Sequence, residues 1–243
     1  VAPIRAQAKP ARYFQQQLRP LEAGASVGNY ATSAGSIGCI VEDDFAHYIL
    51  SNHHVLAGPS VAESGDPVVQ PGPTDAEPTE ETVVGALSRV VPLSERRVNL
   101  VDCALARIIP GLEFWDAWNE SIGGRRGQGG RLTGARRLTP RDLGRPVTKV
   151  GRTTGITEGV VQLVDLDDLE VNLGQTTPRV VTFKEQIEIA GKDGSVFSRN
   201  GDSGSLVVDD AGYAVGLLFA GSDYSYANHV DEALRQLRVR LAL

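Results

Sequence analysis

The sequence predicts an all-β protein of antiparallel sandwich or barrel type that closes with one α-helix. Three observations lead there. Short apolar runs recur between turn-forming residues, no strand–helix–strand alternation is visible, and Val230, Leu234, Leu237 and Leu241 recur at steps of three and four near the C-terminus. The 243 residues, 41% of them hydrophobic, suffice for one large domain or two small joined ones with a real core. The 27 glycines and 13 prolines supply turns, while Val, Ile and Thr fill the runs between them.

Residues 1–30 read as an N-terminal arm. Within it 11–18 form a short helix, with Phe14 and Leu18 four apart and Pro20 as its stop. Two strands over 35–41 and 46–50 flank the polar turn Glu42-Asp43-Asp44. Residues 57–82, dense in proline, glycine and acidic side chains, read as loop apart from a candidate edge strand over 65–69. Further strands fall at 83–91 and 101–109, and a short helix at 112–118.

The glycine-rich stretch that follows holds Arg125, Arg126, Arg131, Arg136, Arg137, Arg141 and Arg145. It reads as a linker, with the arginines in solvent or available to an acidic partner. Strand candidates then recur at 147–150, 160–164, 169–173, 180–183, 187–190, 206–208 and 214–219. The closing helix spans 230–241, with Asp231 and Glu232 in its first turn and Arg235, Arg238 and Arg240 later, as the helix dipole favours.

Composition narrows the function classes. A net charge of −6 argues against general affinity for nucleic acid, and no run of 18 apolar residues offers a membrane span. No His-Glu-x-x-His motif or close Cys/His set suggests a metal, and residues 123–130 lack the Gly-Lys-Ser/Thr of a phosphate loop. No cofactor is expected. Cys39 and Cys103 are read as buried free thiols or as one bridge, so the compartment stays undetermined. Val1-Ala2-Pro3-Ile4-Arg5 has neither an initiating methionine nor an apolar core; processing, trimming and excision from a longer protein all fit.

The sharpest local signal is Gly201-Asp202-Ser203-Gly204-Ser205. Flanking glycines permit a tight turn that exposes the serine hydroxyl while the amides of Gly201 and Ser203 face the oxygen that becomes negative in acyl transfer. An ordinary turn between strands is the plainer reading. A serine needs a base, and the chain has four histidines. His47 lies within a strand and His229 precedes the terminal helix, whereas His53 and His54 follow a hydrophobic strand and either could serve. Asp102, in the apolar run Val101-Asp102-Cys103-Ala104-Leu105, is the candidate to orient the imidazole, since a buried carboxylate there must be paired. A strand-to-helix elbow hydrolase would need a glycine where Ser205 stands, and only 26 residues separate Ser203 from His229.

Together Ser51-Asn52-His53-His54-Val55, Val101-Asp102-Cys103-Ala104-Leu105 and Gly201-Asp202-Ser203-Gly204 resemble the chymotrypsin/trypsin-like serine proteases, nearest to bacterial and viral members with Ser or Thr-Asn-x-His-Val. The resemblance covers roughly 31–240 and selects His54, which directly precedes valine. It implies two packed antiparallel β-barrels: 31–120 and 147–243 with the terminal helix, joined by a linker over 121–146. It also implies a triad of His54, Asp102 and Ser203, separated by 48 and 101 residues. The activity implied is endopeptidase cleavage through an acyl-enzyme, on a polypeptide that could be the protein's own precursor or a fused neighbour. The alternative is a non-catalytic binding or scaffold protein on the same fold.

Departures are Ser205 in place of a common glycine and Val55 in place of a common cysteine, which leaves Cys39 without its usual partner. By the same resemblance Phe197 forms the floor of the primary pocket, and Phe219, Ala220 and Gly221 bind substrate backbone. These imply an apolar or small-residue preference, against which Arg199 points to an acidic side chain. Asp202 occupies the position that binds a new N-terminal amine in zymogen relatives; a local hydrogen bond is the expectation here.

Overall fold

A computed structural model describes residues 11–58, 62–115, 132–173 and 179–243. The all-β prediction holds, with two β-sheets side by side. The first contains β1 Ser26–Asn29, β2 Gly35–Ser36, β3 Cys39–Glu42, β4 His47–Ser51, β5 Pro67–Val69, β6 Val83–Val90 and β7 Ala104–Ile108. The second contains β8 Gly134–Ala135, β9 Pro146–Gly151, β10 Gly155–Leu166, β13 Gln186–Gly191, β14 Leu206–Asp209, β15 Tyr213–Gly221 and β16 Ser225–His229. Between β10 and β13 a separate hairpin is formed by β11 Leu169–Asn172 and β12 Val180–Phe183.

The second sheet closes on itself. Its order β14-β9-β10-β13-β16-β15 returns through pairing of β14 with β15, giving a six-stranded barrel, and β8 adds to β15 in parallel. The first sheet is an open, curled one whose order runs β3-β4-β7-β6-β5-β1-β2. Alternation explains each interior: Ile40, Ile49, Val68, Val84 and Ala106 face one apolar cluster, and Val147, Val161, Ile187, Val207 and Val215 another. A third cluster joins the two sheets, with Leu50, Leu105, Val150, Leu206 and Leu217 meeting between them.

The terminal helix α2, Val230–Leu237, sits against that shared core through Val230, Ala233, Leu234 and Leu237. It follows α1, the single turn His53–Leu56. The apolar spacing predicted a helix to 241, but Arg238 turns left-handed (φ 56°) and ends it. The remaining residues Arg240–Leu241 form β17 on the edge of β3, where Arg240 pairs with Glu42 and Asp44.

Other expectations change in similar ways. Within the stretch read as an arm, Ser26–Asn29 is a full strand between β2 and β5. The helix expected there is a 3-10 turn, Ala11–Gln15, with Phe14 fully buried in the shared core. The candidate edge strand is β5, paired on both sides, with Pro67 at its first position where no ladder bond is lost. Residues 112–115 are not helical; Phe114 bridges to Leu21, and 116–118 lie outside the described residues.

Arg125, Arg126 and Arg131 likewise lie outside the described residues. Arg136, Arg137 and Arg145, expected in solvent, are ion-paired. Arg136 reaches Asp142 and Asp209, Arg145 reaches Asp142 and Asp210, and Arg137 reaches Asp165 and Glu185. These pairs fasten the end of the linker to the second barrel. Cys39 and Cys103 are buried free thiols, and burial pushes the Cys39 thiol up to about 12. Among the described residues no helix is long and apolar enough to cross a membrane.

Candidate active site

The site lies where the two sheets meet, in a cleft of about 510 Å³ lined by His54 from one side and Ser203 from the other. Strand β4 runs into α1, and burial of Val55 and Leu56 beneath that turn leaves the His54 ring 22% exposed at the cleft. His54 Nδ1 lies 2.5 Å from Asp102 Oδ2, and its backbone amide donates to Asp102 Oδ1 at 3.3 Å. His53 points elsewhere, its Nδ1 3.0 Å from the carbonyl oxygen of Val91. The geometry thus separates two histidines that the sequence alone leaves equivalent.

Asp102 is fully buried, and it precedes β7 rather than starting it. Its chain is held from three directions. Asn52 Nδ2 donates to the Asp102 carbonyl at 2.7 Å, and the Asp102 amide donates to Asn228 Oδ1 at 2.9 Å. Asn228 Nδ2 in turn donates to Gln186 Oε1 at 2.7 Å, and Gln186 Nε2 donates to the Leu100 carbonyl at 2.9 Å. Gln186 and Asn228 are register partners on β13 and β16. Two buried amides of the second barrel therefore fix the loop of the first sheet that carries the carboxylate.

Ser203 sits in a tight turn. Gly201 (φ 94°) and Gly204 (φ 92°) occupy the left-handed region, and a Cβ on Gly204 would run into Ser51 Oγ and the Ser36 carbonyl. Ser205, the departure from a glycine, tucks its buried hydroxyl into the same turn and donates to the Asp202 carbonyl at 2.6 Å. The amides of Asp202, Gly204 and Ser205 all donate within the protein, whereas those of Gly201 and Ser203 donate to no backbone acceptor among the described residues. Among the described residues Ser203 Oγ has no hydrogen-bond partner, and catalytic hydrogen bonds commonly tighten only around substrate.

Ser36, which no sequence motif marks, ties this turn to the first sheet. Its amide donates to the Ser203 carbonyl at 2.7 Å and its hydroxyl to the Gly201 carbonyl at 3.2 Å. The same hydroxyl accepts from the Arg152 amide at 3.0 Å, and Ser51 Oγ donates to the Ser36 carbonyl at 2.8 Å. Beneath the turn Asp202 accepts from the amides of Thr153, Thr154 and Arg199 at 2.9, 3.1 and 2.9 Å and from Thr154 Oγ1 at 2.7 Å. Local hydrogen bonds hold Asp202, as expected. It also faces the fully buried Lys149, whose Nζ lies 3.4 Å from Oδ2. Burial pulls the Lys149 ammonium below its ordinary value, and Asp202 opposes that shift.

The expected pocket residues divide. Arg199, Phe219, Ala220 and Gly221 line the cleft, but Phe197 does not: it is 3% exposed and packs into the barrel core. Alternation on an extended segment points Phe197 inward, and Ser198 takes its expected place at the cleft wall. Among the described residues no group of three or more His, Cys, Asp or Glu side chains is arranged to hold a metal.

Two further histidines stand outside this cluster, His229 buried and His53 half-buried. His229 is 2% exposed with neither ring nitrogen hydrogen-bonded, and its Nε2 lies 3.4 Å from Asp165 Oδ1. Burial, then Arg137, lowers its pKa against the pull of Asp231 and Asp165. Burial also lowers that of His53, against the pull of Asp102 and the Val91 carbonyl. Both prefer to be neutral when folded, so the stability they contribute is present above the unfolded value of about 6.5 and is lost as pH falls below it. Melting temperature is accordingly expected to fall between pH 7 and 5, less steeply in His229→Gln; a flat profile would contradict the assignment.

No protein-family model and no curated protein matches the chain. Solved structures do. A glutamic-acid-specific serine protease that uses a histidine triad in substrate binding aligns at TM-score 0.61 and 18% identity, over 91% of this chain and 100% of its own. Thermobifida fusca protease A aligns at 0.61 and 15%, over 92% and 98%, and Cellulomonas bogoriensis chymotrypsin at 0.60 and 18%, over 92% and 98%. The chain therefore has the chymotrypsin-like serine-protease fold, one barrel closed and one curled open.

Proposed function

We propose that the protein is a serine endopeptidase with His54, Asp102 and Ser203 as its triad. The observation that carries this reading is the buried Asp102 carboxylate 2.5 Å from His54 Nδ1, in a cleft that Ser203 also lines. An imidazole that donates its Nδ1 proton to Asp102 keeps Nε2 unprotonated and ready to act as base. Ser203 Oγ attacks the peptide carbonyl while His54 Nε2 takes its proton, and the carbonyl oxygen becomes negative. The uncommitted amides of Gly201 and Ser203 are the donors suited to that oxygen.

Collapse of the adduct breaks the C–N bond, and the protonated His54 gives its proton to the departing amine. The acyl group stays on Ser203 until water, deprotonated by His54, attacks it; the serine regains its proton and the carboxylic acid leaves. The substrate is a polypeptide, in trans or as part of a precursor. A binding or scaffold protein on this fold would have no use for two unbonded amides beside a glycine-held serine. The test is covalent labelling of Ser203 by a fluorophosphonate, run beside peptide hydrolysis.

A further inference from the structure

The cleft has a charge opposite to that of the protein. The chain carries a net charge of −6, yet none of the described residues lining the cleft is aspartate or glutamate, while His54, Arg152 and Arg199 are basic. Arg152 is already neutralised: it is 10% exposed and grips Asp75 with two nitrogens, Nε donating to Oδ2 at 2.6 Å and Nη2 to Oδ1 at 2.5 Å. The nearest carboxylate in sequence, Asp202, is turned beneath the loop and faces Lys149. Arg199 is different. Its backbone amide is fastened to Asp202 at 2.9 Å, its side chain is exposed, and it forms none of the ion pairs found among the described residues. Among the described residues lining the cleft, Arg199 is the cation without an ion-pair partner, on the loop that leads to Ser203.

The adjoining wall is polar too. Ser198 lines the cleft, buried, with its Oγ 2.7 Å from Ser225 Oγ. Each hydroxyl has one proton, and only one is needed between the pair, so the second is available to an acceptor. Space for that acceptor exists because Gly221 has no side chain; a Cβ there would stand 2.8 Å from Ser198 Oγ. With Phe197 in the barrel core, the floor is not the apolar one that the sequence implies.

We infer that this pocket selects an acidic side chain on the residue N-terminal to the scissile bond, its carboxylate held by the Arg199 guanidinium and the hydroxyl pair Ser198–Ser225. A guanidinium matches a carboxylate in planar, two-point geometry, and a hydroxyl completes it. A lysine or arginine side chain would meet like charge and no acceptor carboxylate. The inference rests on the proposed protease reading for which residue enters the pocket, but its test need not use turnover.

Peptides of one sequence ending in Glu, Gln, Leu or Arg, the products such cleavage would leave, are titrated calorimetrically into full-length Ser203→Ala protein. The Glu peptide is expected to bind about tenfold tighter than the Gln peptide. In the Ser203→Ala/Arg199→Ala double variant that ratio should fall toward one, and with Arg199→Glu in the same background the Arg peptide should become the preferred ligand. Circular dichroism checks that each variant is folded. Equal or tighter binding of the Gln, Leu or Arg peptide to the protein with Arg199 intact, or a Glu-to-Gln ratio that survives loss of Arg199, overturns the inference. Loss of fluorophosphonate labelling at Ser203 would instead sink the catalytic reading and leave these affinities standing.

Discussion

Replacing Asp102 by asparagine is expected to lower kcat for peptide hydrolysis by about 10⁴-fold while leaving the fold and KM close to those of the parent. The side chains are nearly isosteric, and the backbone bonds from Asn52 and to Asn228 do not involve the carboxylate. What changes is the partner of His54 Nδ1. A carboxylate accepts only, so it holds the proton on Nδ1 and leaves Nε2 as a base. An amide can turn its N–H toward the ring, and the imidazole then carries its proton on Nε2, facing Ser203, where it cannot accept another. Steady-state kinetics with melting temperature as control measure this. A loss below tenfold would mean that the short contact has no catalytic consequence.

The second large effect concerns stability. Asp202→Ala is expected to cost about 3–5 kcal/mol, because it leaves the Lys149 ammonium buried without its counter-charge. For a chain of this size that is a fall in melting temperature on the order of 10 °C. Among the described residues Lys149 Nζ would keep as hydrogen-bond acceptors Thr154 Oγ1 and the Gly155 carbonyl, the latter 3.2 Å away. The amides of Thr153, Thr154 and Arg199 would lose their common acceptor, loosening the loop that carries Gly201 and Ser203. The double variant Asp202→Ala/Lys149→Met removes the orphaned charge and should regain part of the loss. Thermal denaturation of the two variants measures the coupling. A double variant no more stable than Asp202→Ala would show that the ion pair is not what holds this turn.

These two carboxylates illustrate what the sequence could and could not reveal. Asp102 stood out because it interrupts an apolar run, and such a residue must find a partner if buried. Lys149 sits in an equally apolar run, Val147-Thr148-Lys149-Val150, and the same argument marks it; its partner, 53 residues away, is a matter of topology that spacing does not encode. Gln186 and Asn228 are likewise polar residues within strands, but their role depends on a register pairing that places both amides under the Asp102 loop. Ser36 had no distinguishing pattern, since a serine in a Gly-Ser pair reads as a turn or strand edge. The family resemblance implies Phe197 as the pocket floor, but the alternation of an extended chain puts its neighbour Ser198 at the cleft instead. The strands themselves were legible because their apolar alternation is local. The extra strands β1, β8, β16 and β17 were not, because polar or short segments become strands only when a neighbouring edge is there to pair with them.

Reaction with a fluorophosphonate, followed by intact-mass and peptide mapping, reads out whether Ser203 is an activated nucleophile. The expected result is a single adduct on Ser203 in the wild-type chain, none in Ser203→Ala, and labelling slowed by orders of magnitude in His54→Ala. A folded wild-type protein that stays unlabelled, or that labels equally fast without His54, would contradict it.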